Sequence, residues 1–350
     1  MRHRHPFHRR AACVALFALA GAAGPALAGG YDAAVETLAT KLETRFVDPA
    51  TGERYAQMLR ANLAAGRYAA GADARAVAQS LTDDLQAVAP DGHLRVDLAP
   101  EPGMVRGPLP GEAKKGAPAP GARVSSLASV DLPSVAETKW VADGVAYIRF
   151  NQFMGEPASI AAIDAFVKDY AGAKAVVIDT RTLARGGGLA EMDALFPHLF
   201  ARETALVEMA VAKDGDGGAG PFRGTATLRE VPGPAGQLVL RHYAVPAAGE
   251  QPLAGAKVFF LTSRRTRSAG EHFALALKRT HRATLIGERT AGANHFGGIE
   301  PIGAGLAAFI PVGRTYDPDT GADWEGTGVV PDIEVPVDAA LERALALARH

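Results

Sequence analysis

Apolar positions along the chain fall into two regimes. Over residues 31–88 they recur at helical spacing, in YDAAVETLATKLETRF and again in GERYAQMLRANLAA. Asp73 is placed to cap a third helical stretch, ARAVAQSLTDDLQAVA. Pro90-Asp91-Gly92 breaks the pattern, and His93 opens a short alternating run, HLRVDL. The reading predicts a small helical N-terminal domain over residues 29–98 that ends in a turn carrying a histidine. From Trp140 onward VAYIRF, AVVIDT, ALVEMAVA, LVLRHYAV, KVFFLTS, ATLIGE and LAAFIPV read as strands, rich in Val, Ile, Leu and Phe. The stretches PASIAAIDAFVKDYAG, LAEMDALFPHLF, AGEHFALALKRT and DAALERALALAR read as helices between and after them. This alternation predicts an α/β layered core with parallel pairing over residues 138–350.

Between the two regimes, residues 99–137 are dominated by Pro, Gly and Ala and lose all periodicity, which predicts a linker or long surface loop. The start of the chain is different again. Residues 1–10 are basic, residues 11–23 apolar and small, and Ala26-Leu27-Ala28 has the small-x-small form of a cleavage site. Residues 1–28 are therefore expected to be a signal peptide, with the mature protein periplasmic or extracellular. The apolar run is too short to cross a bilayer comfortably, so no stable membrane span is expected after its removal.

Composition narrows the chemistry. With 48% hydrophobic residues in 350, a sizeable buried core is assured. A formal charge of -1 gives no electrostatic basis for nucleic acid binding. Cys13 is the only cysteine and lies in the leader, so disulfide, thiol and thiolate-metal chemistry are excluded from the mature chain. The histidines lack metal-ligand spacing such as HExxH, and no metal or cofactor is expected.

Three segments carry candidate chemistry. In KVFFLTS-RRTR-SAGEHFALALKRT an apolar strand runs through a short loop into a helix at Ser268. A hydroxyl at a helix head lies among unsatisfied N–H groups that favour negative charge, the setting an acyl-transfer nucleophile needs. The same residue also fits a simple N-cap, with Glu271 completing a capping box. After the strand AVVI come Asp179-Thr180-Arg181 and then Gly186-Gly187-Gly188, a run suited to presenting backbone N–H groups to an oxyanion or to forming a plain turn. The third segment, Trp324-Glu325-Gly326-Thr327-Gly328-Val329-Val330-Pro331-Asp332, forms a tightly shaped loop in which Glu325 either orients a base or is an ordinary surface acid. Serine needs a base, and the candidates are His93, His198, His242, His272, His281 and His295. His272 lies one helical turn beyond Ser268, but its side chain belongs to the body of the helix.

Taken in order, Asp91-Gly92-His93, VAYIRF, VVIDTR with GGG, LTSRRTRSAGE, RATLIGERTAG, FIPVGRTYDPDTG and WEGTGVVPD resemble the tail-specific (C-terminal processing) protease superfamily over about residues 75–337. That group includes the tricorn core protease and the repeats of the interphotoreceptor retinoid-binding protein. The resemblance implies a core of stacked ββα units, ClpP/crotonase-like, beside a helical N-terminal domain. Many relatives use a lysine base in a run like TFGKG; here that place is Ala293, so a Ser–Lys dyad is absent. The tricorn-like branch uses a histidine from the N-terminal domain and a late glutamate, and His93 and Glu325 stand at the matching points. The resemblance thus implies Ser268 as nucleophile, His93 as general base and then acid, and Glu325 in the supporting polar network. Position 92, serine in the tricorn pattern, is glycine here. The oxyanion hole is implied to be the N–H of Ala269 with that of Gly186 or Gly187. Here the usual DxRxNxGG has become DTRTLARGGG, without its asparagine, and which glycine points inward stays open.

No stretch the size of a PDZ domain fits between His93 and Trp140, so the C-terminus-capturing module of the tail-specific proteases is not expected. The functional expectation is an exported serine-type peptidase acting on peptides or proteins through an acyl-enzyme. The alternative is a non-catalytic binding protein for a hydrophobic ligand or peptide on the same scaffold.

Overall fold

The computed structural model describes residues 30–68, 72–99, 132–183, 185–212 and 225–349. The expected signal peptide, Cys13 and most of the Pro/Gly-rich stretch lie outside these residues. In chain order the elements begin with α1 (Asp32–Arg45), α2 (Pro49–Ala64), α3 (Ala74–Val88) and β1 (Arg95–Leu98). The hairpin β2 (Val135–Ala142) and β3 (Val145–Phe150) leads to α4 (Pro157–Asp169), β4 (Ala175–Asp179) and α5 (Ala190–Leu199). Next come β5 (Thr204–Ala212), β6 (Leu228–Val231), β7 (Gln237–Ala244), β8 (Lys257–Thr262) and α6 (Ala269–Arg279). The chain closes with β9 (Thr284–Gly287), β10 (Phe296–Gly303), β11 (Leu306–Tyr316), β12 (Ile333–Glu334) and α7 (Ala340–Ala348).

Two six-stranded sheets organise these elements. The first has the order β12-β9-β8-β4-β3-β2, parallel throughout except for the antiparallel hairpin β2–β3. All five residues of β4, AVVID, are buried, as a strand covered on both faces requires. Side chains alternate between the two faces. Tyr147, Val177 and Phe259 pack with Ala340 and Ala344 of α7, whereas Ile148, Ile178 and Phe260 join the main core with Phe166, Phe196 and Phe273 of α4, α5 and α6. Leu206, Val207 and Leu240 of the second sheet close that core from the other side. The result is the expected α/β architecture of stacked layers.

The second sheet departs from the expectation of parallel pairing. Its order is β1-β11-β5-β7-β6, with β10 against β11, and the pairs are antiparallel. Strand β10, FGGIEPIG, carries three glycines and a proline, residues disfavoured in strands, and lies outside the segments that read as strands; pairing along β11 makes it one. Strand β2 begins at Val135, inside the stretch expected to be a linker.

The three N-terminal helices do not close a core alone. Leu38, Leu42, Tyr55, Leu59, Leu81 and Leu85 are fully buried together with Ile302, Leu306, Ala308 and Ile310 of the β10–β11 hairpin. Each such side chain contributes about 1.5–3 kcal/mol by leaving water, so the hairpin is held firmly against the helices. Strand β1 pairs with β11, placing Arg95 opposite Phe309. Lys41 and Arg45 of α1 both bind Glu300 of β10 at 2.6 Å. This stitching carries the turn at residues 91–93 to the part of the core that holds Ser268.

Candidate active site

Ser268 stands between β8 and α6, with φ 52° and ψ -119°. A non-glycine residue reaches positive φ only at a cost, and such strain gathers where geometry matters. The loop that imposes it is tied down from below. The Thr266 hydroxyl accepts the Ser263 N–H at 3.0 Å and stands 3.1 Å from both the hydroxyl and the carbonyl oxygen of Thr180. Glu271 of α6 completes the capping box, its Oε2 accepting the Ser268 N–H at 2.8 Å.

Glu271 does more than cap. Its Oε2 also accepts the Ala293 N–H at 2.9 Å, and its Oε1 takes the Thr290 hydroxyl at 2.6 Å and the Gly292 N–H at 2.7 Å. Burial pushes this carboxyl up, against the pull of those four donors. The Ser268 turn and the 290–293 segment are thereby fixed to one buried group. The sequence shows only the local capping half of that role.

The glycine run meets Ser268 directly. A Cβ added at Gly186 would lie 2.4 Å from Ser268 Cβ, 2.8 Å from its Oγ and 3.2 Å from the Ala269 nitrogen. Gly187 has φ 140°, and a Cβ there would sit 1.8 Å from the Phe153 carbonyl oxygen. The run is pinned by Phe153, whose N–H donates to Gly186 O at 2.9 Å and whose carbonyl accepts the Gly188 N–H at 2.7 Å. Among the described residues the N–H groups of Ala269, Gly186 and Gly187 have no acceptor, which leaves them free for an anion.

On the opposite side stands the 91–93 turn. Asp91 Oδ1 accepts the N–H groups of His93 and Leu94, each at 2.8 Å. The His93 ring stacks on Phe309 at 5.3 Å, and its Nδ1 is buried with no hydrogen-bond partner. Burial pushes the His93 imidazole down to about 4; Asp91 opposes the shift, while Arg267, Arg95 and His295 add to it. Arg267 is the residue before Ser268, so the turn and the Ser268 loop share one electrostatic neighbourhood. The His93 ring makes no hydrogen bond to the Ser268 hydroxyl among the described residues.

Glu325 acts on the backbone of this turn, not on the imidazole. Its Oε1 accepts the Gly92 N–H at 2.7 Å, and its Oε2 accepts those of Asn294 at 2.6 Å and His295 at 3.0 Å. Gly92 itself is wedged in place: an added Cβ would come 2.9 Å from Ala293 Cβ. A continuous path of contacts therefore runs from Glu325 through Gly92 and Ala293 to Glu271 and Ser268.

One member of the network has no signal in the sequence beyond being a histidine. His295 Nδ1 lies 2.6 Å from Asp91 Oδ2. Burial lowers the His295 imidazole, but the hydrogen bond and charge of Asp91, with Glu325 and Asp323 behind, prevail and raise it. Burial alone would raise Asp91, but the His295 contact together with the His93 and Leu94 amides lowers it. Donor atoms of Asp91, His295 and Glu325 come within 4.8 Å of one another, but these oxygens are already engaged by backbone N–H groups and the imidazole.

The remaining histidines stand elsewhere. His272 is buried beneath α6 and pairs with His242 at 2.8 Å, which in turn meets Asp193 at 2.9 Å. His198 lies on α5, and His281 is exposed just beyond the far end of α6.

Residues 144–335 match the model of Peptidase family S41. Among solved structures, a protein from Parabacteroides merdae assigned as a candidate peptidase superposes with a TM-score of 0.60 at 16% identity, covering 92% of this chain and 98% of that one. The photosystem II D1 C-terminal processing protease gives 0.52 at 18% identity, over 91% and 97%. A lipoprotein from Streptococcus agalactiae gives 0.53 at 12% identity, over 92% and 97%. At these identities the likeness is one of fold.

Proposed function

From the premise that this chain belongs to peptidase family S41, we propose that it is an exported serine peptidase with Ser268 as nucleophile and His93 as base. The observation that carries the reading is the close approach of Gly186 to Ser268, so close that an added Cβ would lie 2.8 Å from Oγ, beside the unpaired Ala269 N–H and at a serine held at positive φ. That arrangement suits a tetrahedral oxyanion next to an attacking hydroxyl.

In this mechanism the Ser268 oxygen attacks the scissile carbonyl carbon while its proton passes to His93. The oxyanion is held by the Ala269 N–H and one from Gly186 or Gly187. The imidazolium returns its proton to the leaving amine as the C–N bond breaks, leaving an ester on Ser268. Water, deprotonated by the same imidazole, then hydrolyses the ester. Because His93 is neutral above about pH 4, it is ready to accept a proton at neutral pH. The absence of a Ser268–His93 hydrogen bond without substrate is compatible with this role, since such contacts often tighten only on binding. Glu325 and Asp91 keep the His93 turn in register through its backbone.

Export rests on the basic, apolar and small-residue segments at the start of the chain. Among the described residues no helix is long and apolar enough to cross a membrane.

The experiment is labelling of the native protein with a fluorophosphonate, read by intact mass and peptide mapping. One adduct on Ser268, lost in Ser268→Ala and strongly slowed in His93→Ala, is expected. A folded protein that takes no label sinks the proposal. The alternative of an apolar-ligand carrier draws no support from the cavity of about 630 Å³ at the far end of α6. Six charged side chains, Lys257, Lys278, Arg279, Arg282, Asp317 and Asp332, share its lining with Val258, Phe259, Leu275 and Ala283, whereas ligand pockets for apolar molecules are lined mainly by hydrophobic side chains.

A further inference from the structure

The loop that delivers Ser268 is unusually basic. Arg264, Arg265 and Arg267 are all exposed, and none forms an ion pair among the described residues. A fourth cation, the half-buried Arg95, approaches from the N-terminal unit. Its Nη1 donates to the His93 carbonyl at 3.1 Å, and its guanidinium lies 5.5 Å from the centroid of the Phe309 ring on which His93 stacks.

The carboxylates around the site do not neutralise these charges. Glu271 is consumed by four donors, and Asp91 by two amides and His295. Glu325 is consumed by three amides, and Asp179 by Arg181. Asp97 offsets Arg95 only in part, since burial still leaves that guanidinium lowered. With the loop arginines unpaired, the mouth of the site presents net positive charge near the imidazole, which feels Arg267 from one half of the molecule and Arg95 from the other.

We infer that this site selects peptides carrying an acidic side chain, Asp or Glu, next to the scissile bond, with Arg267 and Arg95 as its principal recognition groups. The inference rests on the peptidase reading of the same site. A peptide crossing Ser268 with its carbonyl toward Ala269 must pass Arg267, the adjoining residue. A carboxylate there meets a donor fork of matching geometry. It also serves the chemistry. The imidazole of His93 carries no partner on Nδ1 and stands in the field of Arg267 and Arg95, which opposes its protonation. A substrate carboxylate offsets that field, so it stabilises the imidazolium formed when Ser268 gives up its proton. An acidic substrate thus gains in turnover as well as in binding.

The test separates recognition from cleavage. Fluorescent peptides, acetylated and amidated so that their termini carry no charge, are made with Glu, Gln or Lys flanking one small-residue core. Their binding to the Ser268→Ala protein is measured by anisotropy. The Glu peptide is expected to bind about five- to tenfold more tightly than the Gln peptide, the scale of one or two screened surface charge pairs. The advantage should shrink at high salt. Adding Arg267→Glu to Ser268→Ala should remove the preference or turn it toward the Lys peptide, with an unchanged melting temperature because Arg267 is exposed. Equal binding of the Glu and Gln peptides, or a preference that Arg267→Glu leaves intact, overturns the inference. Cleavage of the same peptides by the unmodified protein tests the peptidase reading on its own.

Discussion

His295 and Asp91 meet at 2.6 Å across 204 positions of sequence, and the meeting fixes the turn that carries His93. One carboxylate oxygen holds the imidazole and the other holds the amides of His93 and Leu94. The side chain of Asp91 is almost fully enclosed, so its charge has no water to fall back on.

Removing half of this pair should be far worse than removing both. His295→Gln leaves an enclosed carboxylate without its cation and is expected to cost about 3 kcal/mol. The double variant His295→Gln with Asp91→Asn keeps the shapes without the charges and should recover a substantial part. Urea unfolding of the four proteins of the cycle measures the coupling. Additive losses would show that the two residues act independently.

The pH response follows from three directions. His295 is raised when folded, so its contribution to stability is complete below about pH 6.5 and drains away as pH climbs through its folded value. Asp91 is lowered, so its contribution holds above about pH 4 and is lost on acidification through its folded value. His93 is depressed to about 4; it destabilises the folded state progressively as pH falls from about 6.5 toward that value. Unfolding midpoints followed against pH should fall on both sides of a plateau, and His295→Gln should lack the alkaline fall.

In the proposed role for His93, the same depression should set the acid limb of catalysis. For a neutral peptide, kcat/KM should fall with an apparent value near pH 4, well below that of an ordinary imidazole. A limb near pH 6.5 would remove His93 from the role of base.

Two glycines predict opposite kinds of damage. Gly186→Ala drives a methyl into Ser268 and the Ala269 nitrogen, and activity should drop by about 10²–10³, as when an oxyanion donor is lost. Gly92→Ser, which would rebuild a serine beside the base, pushes its Cβ to within 2.9 Å of Ala293 Cβ. It should destabilise by about 1–3 kcal/mol and bring no gain in rate. Thermal melts alongside kcat separate the two outcomes.

The strain at Ser268 can be read separately from its chemistry. Ser268→Gly relieves the positive φ and Ser268→Ala keeps it. The glycine variant should be more stable by about 1–2 kcal/mol. Equal stability would mean that the turn relaxes once the hydroxyl is gone.

Strands β3, β4 and β8 of the first sheet were legible because they are largely apolar and buried, as covering on both faces demands. The serine at the head of α6 was legible for a similar local reason. Strand β10 was not, since Gly297, Gly298 and Pro301 disfavour a strand and only pairing with β11 makes them one. Pattern alone left Glu325 open between two readings, and family likeness decided which to prefer. The partners of Glu271 at residues 290–293 and the His295–Asp91 contact left no trace in periodicity. They join segments that only the packing of helices against a late hairpin brings together.

That shared packing has a consequence for the order in which the protein becomes dangerous to its surroundings. On the proposed roles, a ribosome releases the imidazole early, the alcohol much later, and Glu325 with the end of the hairpin scaffold nearly last. On that layout a nascent chain lacks the complete set until Glu325 has been made.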